Sequence, residues 1–575
     1  MSGIFGLLDP SGPSNRDIER AAAVAGYRGH PVVRVVGQVA LGAFARAGRE
    51  PSFVDTEASF GVADARVDEA PPRAAAARVV GDDVGKLVDV LESRGAAGLD
   101  DVAADFAVAW FDRRRRILLL ARDAFGMRPL FLARRGRRVG FASDPQILVA
   151  MGLASGDTDR DSLVSHLAGR PPGGWSSAFH GVSRVPGGRW VAFDADGRSW
   201  RGRWFRPEDV DERRGSLEDF AIELRELLVE AVASRAEGNR VALALSGGRD
   251  SGAVAIALAL AGVSATSITQ SFDDDLGCSE SHLAEPIAKE HGHGFVDVRV
   301  PSSVPAAELG RLPVEFGSPL AVPVFPLALS RADAAADAGA TVMLDGEGGD
   351  LFVAPPPVIL DLVRRRHLVV ATRAIAAYRR GPYSAPVIAK WIGKSLLPGP
   401  LTDLRERLRP LPPWIGRGDR KRLRELDTPR GSESLAAQLV TAAYLGSDEG
   451  WERCLRLRGL DYACPILDLR VVRLILSMPP ELRTPARGYK AVLAAALLGS
   501  WDADRVKAVQ TPYFRRLARS MLDEHSGIFF PDASLARRGY VDPAGLGSFD
   551  RERWLIQSLY LVGPEMWLRR EDVDG

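Results

Sequence analysis

The sequence predicts two domains of mixed α and β structure. An α+β domain covers residues 1–205, and an α/β domain with a doubly wound parallel sheet and a helical C-terminal part covers 216–575. Three observations predict this. At 575 residues the chain is too long for one hydrophobic core. Up to about residue 200, short apolar runs alternate with turn residues, the pattern of antiparallel strands. Beyond about 216, apolar runs alternate with longer helical stretches, which requires a parallel sheet covered on both faces.

In chain order, the first domain's strands are VGQVALGAFA, SFGVADARV, DFAVAWFD, RILLLARD, PLFLARR, RVGFASD and GGRWVAFDADG. The four arginines at 113–116 read as a solvated turn between two of them. A polar stretch then leads to Ser216, which with Asp219 forms a capping box ahead of the amphipathic FAIELRELLVEAVASR. That sets the domain boundary at 205–215. In the second domain VALAL, ATSITQSF, GFVDVRV and TVMLD read as strands. Residues 360–430 are arginine-rich and broken by prolines. They read as a solvated helical face, with a surface for an acidic peptide or partner protein as the alternative.

Composition excludes some function classes. Lysine plus arginine (75) nearly cancels aspartate plus glutamate (74), so nothing in the overall charge points to nucleic acid or a membrane surface. Three scattered cysteines, Cys278, Cys454 and Cys464, form neither a disulfide framework nor a zinc site and read as small buried hydrophobes. The start, MSGIFGLLDPSG, has no signal-peptide pattern, and no apolar run reaches the roughly 18 residues of a spanning helix. A cytoplasmic protein is expected.

The chemistry concentrates in two turns. In VALALSGGRDSGAVAIALAL, a strand passes into a helix through Ser246, Gly247, Gly248, Arg249, Asp250 and Ser251. Such a turn presents unpaired N–H groups to an anion. The glycines allow close approach, the hydroxyls donate, and Asp250 is placed to hold magnesium. It is neither a Walker A motif nor a GxGxxG fingerprint. Downstream, TVMLD runs into Asp345-Gly346-Glu347-Gly348-Gly349-Asp350. There a second carboxylate, Asp350, can share magnesium with Asp250 and leave Glu347 free for acid–base work.

The six residues Ser246–Ser251 resemble the SGGxDS signature of pyrophosphate-loop ATPases, which have a HUP-like fold and transfer AMP from ATP to an acceptor. The second turn resembles the SGEGxDELF segment of the asparagine synthetase family, with Leu351 standing where the family usually has glutamate. Arg505-Val506-Lys507 lies where that family carries an R-x-K triplet, after ACPILDLRVVRLILSMPPELR and GYKAVLAAAL, which resemble its "PFLD" and "K..LR.A" helices. The resemblance implies ATP and Mg²⁺ as cofactors and Glu347, Lys507, Asp250 and Asp350 as the catalytic set. It implies nucleotide contacts from Leu245, Ser246, Gly247, Gly248, Asp250, Ser251, Gln270, Gly346 and Lys490, and metal ligation by Asp250 and Asp350.

SGIFG, YRGH, LARDAFGMRPLF and FASDPQIL resemble the family's amino-terminal glutaminase domain, a sandwich of the N-terminal-nucleophile type. Its nucleophilic cysteine is replaced by Ser2. Its NGEIYN-type glutamine clasp is replaced by GVADARVD. Glutaminase activity is therefore expected to be lost, with the attacking amine supplied by the substrate. An N-terminal serine hydrolase is the alternative. A silent domain of this kind fused to an AMP-forming synthetase is found in β-lactam synthetases and in lasso-peptide macrolactam synthetases. DARVD and GEGGD resemble the latter. The resemblance then implies adenylation of an Asp or Glu side chain in a precursor core peptide, ring closure by the peptide's α-amine, and a leader peptidase and a leader-recognition protein as partners. An asparagine-synthetase-like amide ligase, a β-lactam synthetase and a non-catalytic nucleotide-binding regulator are the rivals.

Overall fold

A computed structural model describes residues 3–44, 53–70, 82–170, 174–272, 279–300, 309–311, 315–320, 325–353, 358–380, 410–425, 448–485, 488–498, 519–520, 522–524 and 533–574, with residues 386 and 389 besides. Ser2, Cys278 and Lys507 lie outside the described residues.

Residues 3–203 build two six-stranded antiparallel sheets. One runs in the order Val182–Arg184, Phe131–Arg135, Arg138–Ala142, Gly3–Leu8, Val39–Phe44 and Pro31–Val36. The other runs Ser199–Arg203, Arg189–Asp194, Ile117–Arg122, Ala103–Asp112, Ser59–Glu69 and Phe53–Asp55. Period-two alternation sends Ile4 and Leu8 between the sheets, with Leu41, Phe60, Val62, Ala109, Leu120 and Phe141, and sends Phe5 and Leu7 outward. Helices Asn15–Val24 and Pro145–Ala150 cover one outer face, and Asp83–Arg94 covers the other, giving four layers. Gly6 is required between the sheets. A Cβ there would come within 2.5 Å of the Ala40 carbonyl oxygen.

The four arginines form the expected turn, with Asp112 Oδ1 accepting from the N–H groups of Arg114 and Arg115, both at 2.9 Å. The run VGQVALGAFA is not one strand. Gly37, at φ 57°, turns the chain between Pro31–Val36 and Val39–Phe44. The capping box is present: Asp219 N–H donates to Ser216 Oγ at 3.1 Å, and Ser216 N–H to Asp219 Oδ2 at 2.8 Å. It starts the helix Leu217–Ala236.

The second part carries a five-stranded sheet in the order Gly294–Val300, Ala265–Phe272, Val241–Ala244, Val342–Leu344 and Asp461–Ala463, parallel at every pairing. Numbered within this sheet the order is 3-2-1-4-5, so chain direction around the sheet reverses between strands Val241–Ala244 and Val342–Leu344. Helices Leu217–Ala236, Arg249–Leu260 and Ser281–Glu290 pack on one face with Leu243 and Leu344, while Phe325–Asp337 and Asp448–Leu457 pack on the other with Ala242 and Met343. From the arginine-rich region, helices Val358–Arg364, Leu368–Arg380 and Arg417–Glu425 are described, and their arginines are mostly exposed. Cys454 and Cys464 are buried free thiols. Among the described residues no helix is long and apolar enough to cross a membrane.

Candidate functional site

In an open parallel sheet the crevice at the carboxyl ends of strands, where the strand order reverses, is the ready-made ligand site. Both candidate turns open there. Ser246–Ser251 follows strand Val241–Ala244, and Asp345–Asp350 follows its neighbour Val342–Leu344. Leu245 is buried, held by its N–H to the Ile268 carbonyl at 3.0 Å. Gly247 adopts φ 72°, and a Cβ there would strike Leu283 Cβ at 2.5 Å. The loop's shape is fixed from inside: Ser246 N–H donates to Ser251 Oγ at 3.2 Å, the two hydroxyls lie 3.1 Å apart, and Gly248 N–H donates to Ser246 Oγ at 3.3 Å. Gly248 then caps the helix Arg249–Leu260 without a side chain, so the first-turn N–H groups face the crevice.

The second turn packs directly on the first. A Cβ on Gly346 would lie 2.6 Å from Ser251 N, and one on Gly349 would land inside the Asp250 carboxylate. Gly348 takes the left-handed conformation at φ 99°. Each of these positions demands glycine for a separate reason, and together they bring Asp250 and Asp350 to one place. Between the carboxylates sits Lys490, with Nζ 2.5 Å from Asp250 Oδ2 and 3.4 Å from Asp350 Oδ1. Its side chain is 3% exposed while that of Asp350 is 94% exposed, so the cluster reaches from interior to solvent. Lys490 is also one of three non-glycine residues at positive φ among the described residues, at φ 56° and ψ 45°. Strain of this kind persists where the surroundings over-determine it. Burial works against the Lys490 ammonium, but the Asp250 carboxylate, aided by Tyr489 and Asp350, holds it above its usual pKa. Burial likewise raises the Asp250 carboxyl, with Lys490 pulling it back.

Glu347 is exposed at the rim of the same turn. Gln270 lies near the end of the adjacent strand, where its amide donates to Ser330 Oγ at 2.8 Å. Thus Leu245–Ser251, Gly346, Glu347, Asp350 and Lys490 converge, and Gln270 lies one strand away. Sequence reasoning missed Arg249 and Tyr489: the Arg249 guanidinium donates to the Tyr489 carbonyl and lies 5.6 Å from that ring's centre, tying the first turn to the segment carrying Lys490. The Arg inside SGGRDS was the available signal.

The donors fit a divalent cation bound with phosphate. Asp250 Oδ1 is buried with no hydrogen-bond partner among the described residues, and the available ligands are hard carboxylate oxygens. No group of three His, Cys, Asp or Glu side chains forms a metal cage among the described residues. Magnesium needs none, because it takes one or two carboxylates and completes its shell with phosphate and water.

The asparagine synthase family matches residues 223–567, and a glutamine amidotransferase domain matches residues 79–205. No curated protein matches. Among solved structures, glutamine phosphoribosylpyrophosphate amidotransferase from B. subtilis, complexed with ADP and GMP, is similar at a TM-score of 0.26 and 12% identity, over 51% of this chain and 65% of that one, less than two thirds of its length. A structure of the allosteric regulatory enzyme of purine biosynthesis is similar at 0.27 and 12%, over 51% of this chain and 80% of that one.

Proposed function

Since this chain belongs to the asparagine synthase family, we propose that it is an ATP-dependent carbon–nitrogen ligase, a macrolactam synthetase of the lasso-peptide kind. In this reading an Asp or Glu side chain of a core peptide is adenylated, and the same peptide's α-amine closes the ring with release of AMP and pyrophosphate. A leader peptidase and a leader-recognition protein would deliver the peptide.

One observation carries the choice of an internal amine over ammonia. By the resemblance DARVD stands where a glutamine clasp would stand, and two of its three charged side chains, Arg66 and Asp68, are engaged elsewhere. Arg66 Nη2 lies 2.7 Å from Asp105 Oδ2, Arg66 Nη1 donates to Ser234 Oγ at 2.9 Å, and Asp68 and Asp105 share Arg235 with Asp468. Arg66 and Asp68, committed to these ion pairs, are not available to hold free glutamine.

The residues divide the work as follows. The N–H groups and hydroxyls of Ser246–Ser251 cradle phosphate. Asp250 and Asp350 would hold magnesium, which supplies charge neutralisation on the phosphates. Lys490, already between the carboxylates, can turn its ammonium to phosphate oxygens and so balances their charge in either state. Glu347, at the rim, would take the proton from the incoming amine, since an ammonium is no nucleophile. Lys507, by the resemblance alone, would face the developing oxyanion. Binding the folded peptide beside the activated carboxyl supplies the proximity that makes ring closure effectively unimolecular.

The test is nitrogen-source competition. With ATP and Mg²⁺, a linear peptide bearing a free α-amine and an internal acidic side chain should yield AMP and a product lighter by one water. Aspartate with glutamine or ammonium should yield no asparagine. Asparagine formation with no reaction of the peptide would overturn the proposal.

A further inference from the structure

Two buried ion clusters join the sandwich to the synthetase part. The first is the DARVD cluster. The second alternates in charge along five side chains. Arg28 grips Glu452 with both terminal nitrogens, at 3.2 and 2.8 Å. Arg456 bridges Glu452 at 2.8 Å and Asp461 at 2.6 Å, and Arg128 closes on both oxygens of Asp461, the second at 3.2 Å. All five residues are buried. Buried ion pairs add little net stability over apolar packing, because desolvation offsets the attraction, whereas their directional bonds fix geometry. What this cluster fixes is visible at Asp461.

Asp461 begins the three-residue strand Asp461–Ala463, which among the described residues is paired on one side only, to Val342–Leu344. So short an edge strand, about 10 Å long, needs other contacts to hold its position. At its far end the Ala463 carbonyl accepts from Asp345 N–H at 3.2 Å. The chain then turns so that Ile466 and Leu467 pack on Gly348, where a Cβ would come within 2.8 Å of Leu467 Cδ2. The strand is thus clamped by the first domain at one end and supports the Asp345–Asp350 turn at the other. The Ser246–Ser251 turn has no such connection. It hangs on a central strand and its own hydrogen bonds, with Leu283, Tyr489, Lys490 and the second turn packed against it, and among the described residues no side chain of the first domain bonds to it.

We propose that Arg128 and Asp461 are positioning residues: through them the silent first domain sets the place of the turn carrying Glu347 and Asp350. This rests on the reading of that turn as half of the site.

The test uses the full chain and the paired substitution Arg128→Met with Asp461→Leu, which removes both charges together. Hydrogen exchange is followed by mass in three segments. The expected result is exchange faster by about tenfold or more in 345–352 and 461–467, with less than about twofold change in 246–251. With Mg·ATP and the linear peptide, kcat for AMP release should fall while KM for ATP stays within about twofold. If the paired variant does not fold, Arg128→Lys, which keeps the charge but loses the two-pronged grip, is read by the same exchange pattern. Equal acceleration in all three segments, or none in 345–352, overturns the proposal. The exchange readout needs no substrate, so its failure is separate from failure of the macrolactam reading.

Discussion

Gly349→Ala removes no functional group, yet it should disable the nucleotide site. A Cβ at residue 349 would occupy the volume of the Asp250 carboxylate. Gly349 itself is buried and outside the left-handed region, so alanine adds no backbone strain, and the turn is pinned by Gly346 against Ser251. The carboxylate must therefore rotate away from Lys490, forfeiting a charge-assisted bond at 2.5 Å. Such a bond is worth about 1.5–3 kcal/mol. The same carboxylate is read as a magnesium ligand on the bound nucleotide, and misplacing one charge-assisted contact of that size there weakens affinity roughly 10- to 100-fold. The assay is calorimetric titration with the non-hydrolysable analogue AMPCPP, in Mg²⁺ and in EDTA. The variant should weaken binding by that factor in Mg²⁺ and much less in EDTA. Magnesium-dependent affinity within twofold of the unaltered protein would refute the geometry argued for Asp250.

Further outcomes follow from other residues. Glu347→Gln should slow ring closure by about 10²–10⁴-fold with little change in AMPCPP affinity, checked by rapid-quench mass analysis of AMP and cyclic product; closure at the unaltered rate would make Glu347 a loop-shaping residue. Ser2→Ala should leave ring closure unchanged, and the unaltered chain should release no glutamate from glutamine; release that depends on Ser2 would restore a hydrolase. Burial pushes the His166 pKa down to about 3. The unfolded chain takes up that proton near pH 6.5, so stability is whole above that pH and is lost as pH falls toward 3, at about 1.4 kcal/mol per unit or roughly 2.7 kcal/mol by pH 4.5. Urea midpoints between pH 7 and 4.5 should fall less steeply in His166→Leu, and parallel slopes would refute the assignment.

The two turns were legible because their chemistry is local: glycine and carboxylate within six residues, with two hydroxyls besides in the first, each after an apolar strand. Period-two and helical patterns likewise gave the antiparallel runs, four of the five parallel strands and the Ser216 cap. Elsewhere the signal is short or remote. Asp461–Ala463 is too brief to show a period, and its segment resembled a helical one. Pro31–Val36 merges with its neighbour until Gly37 is seen to turn. Lys490 was legible only as a nucleotide contact; its left-handed backbone and its seat between two carboxylates depend on contacts 240 and 140 residues away. Arg28 and Arg128 read as relics of a glutaminase, because a pairing across 333 residues such as Arg128–Asp461 leaves no local trace.

The most direct test of the account follows the oxygen. A linear peptide whose acidic side-chain carboxylate carries ¹⁸O at both oxygens is incubated with the protein, ATP and Mg²⁺, and AMP and peptide are weighed. Adenylation of that carboxylate requires one ¹⁸O in AMP for each ring closed, with pyrophosphate unlabelled. Ring closure accompanied by unlabelled AMP, or by ADP and labelled phosphate, would contradict it.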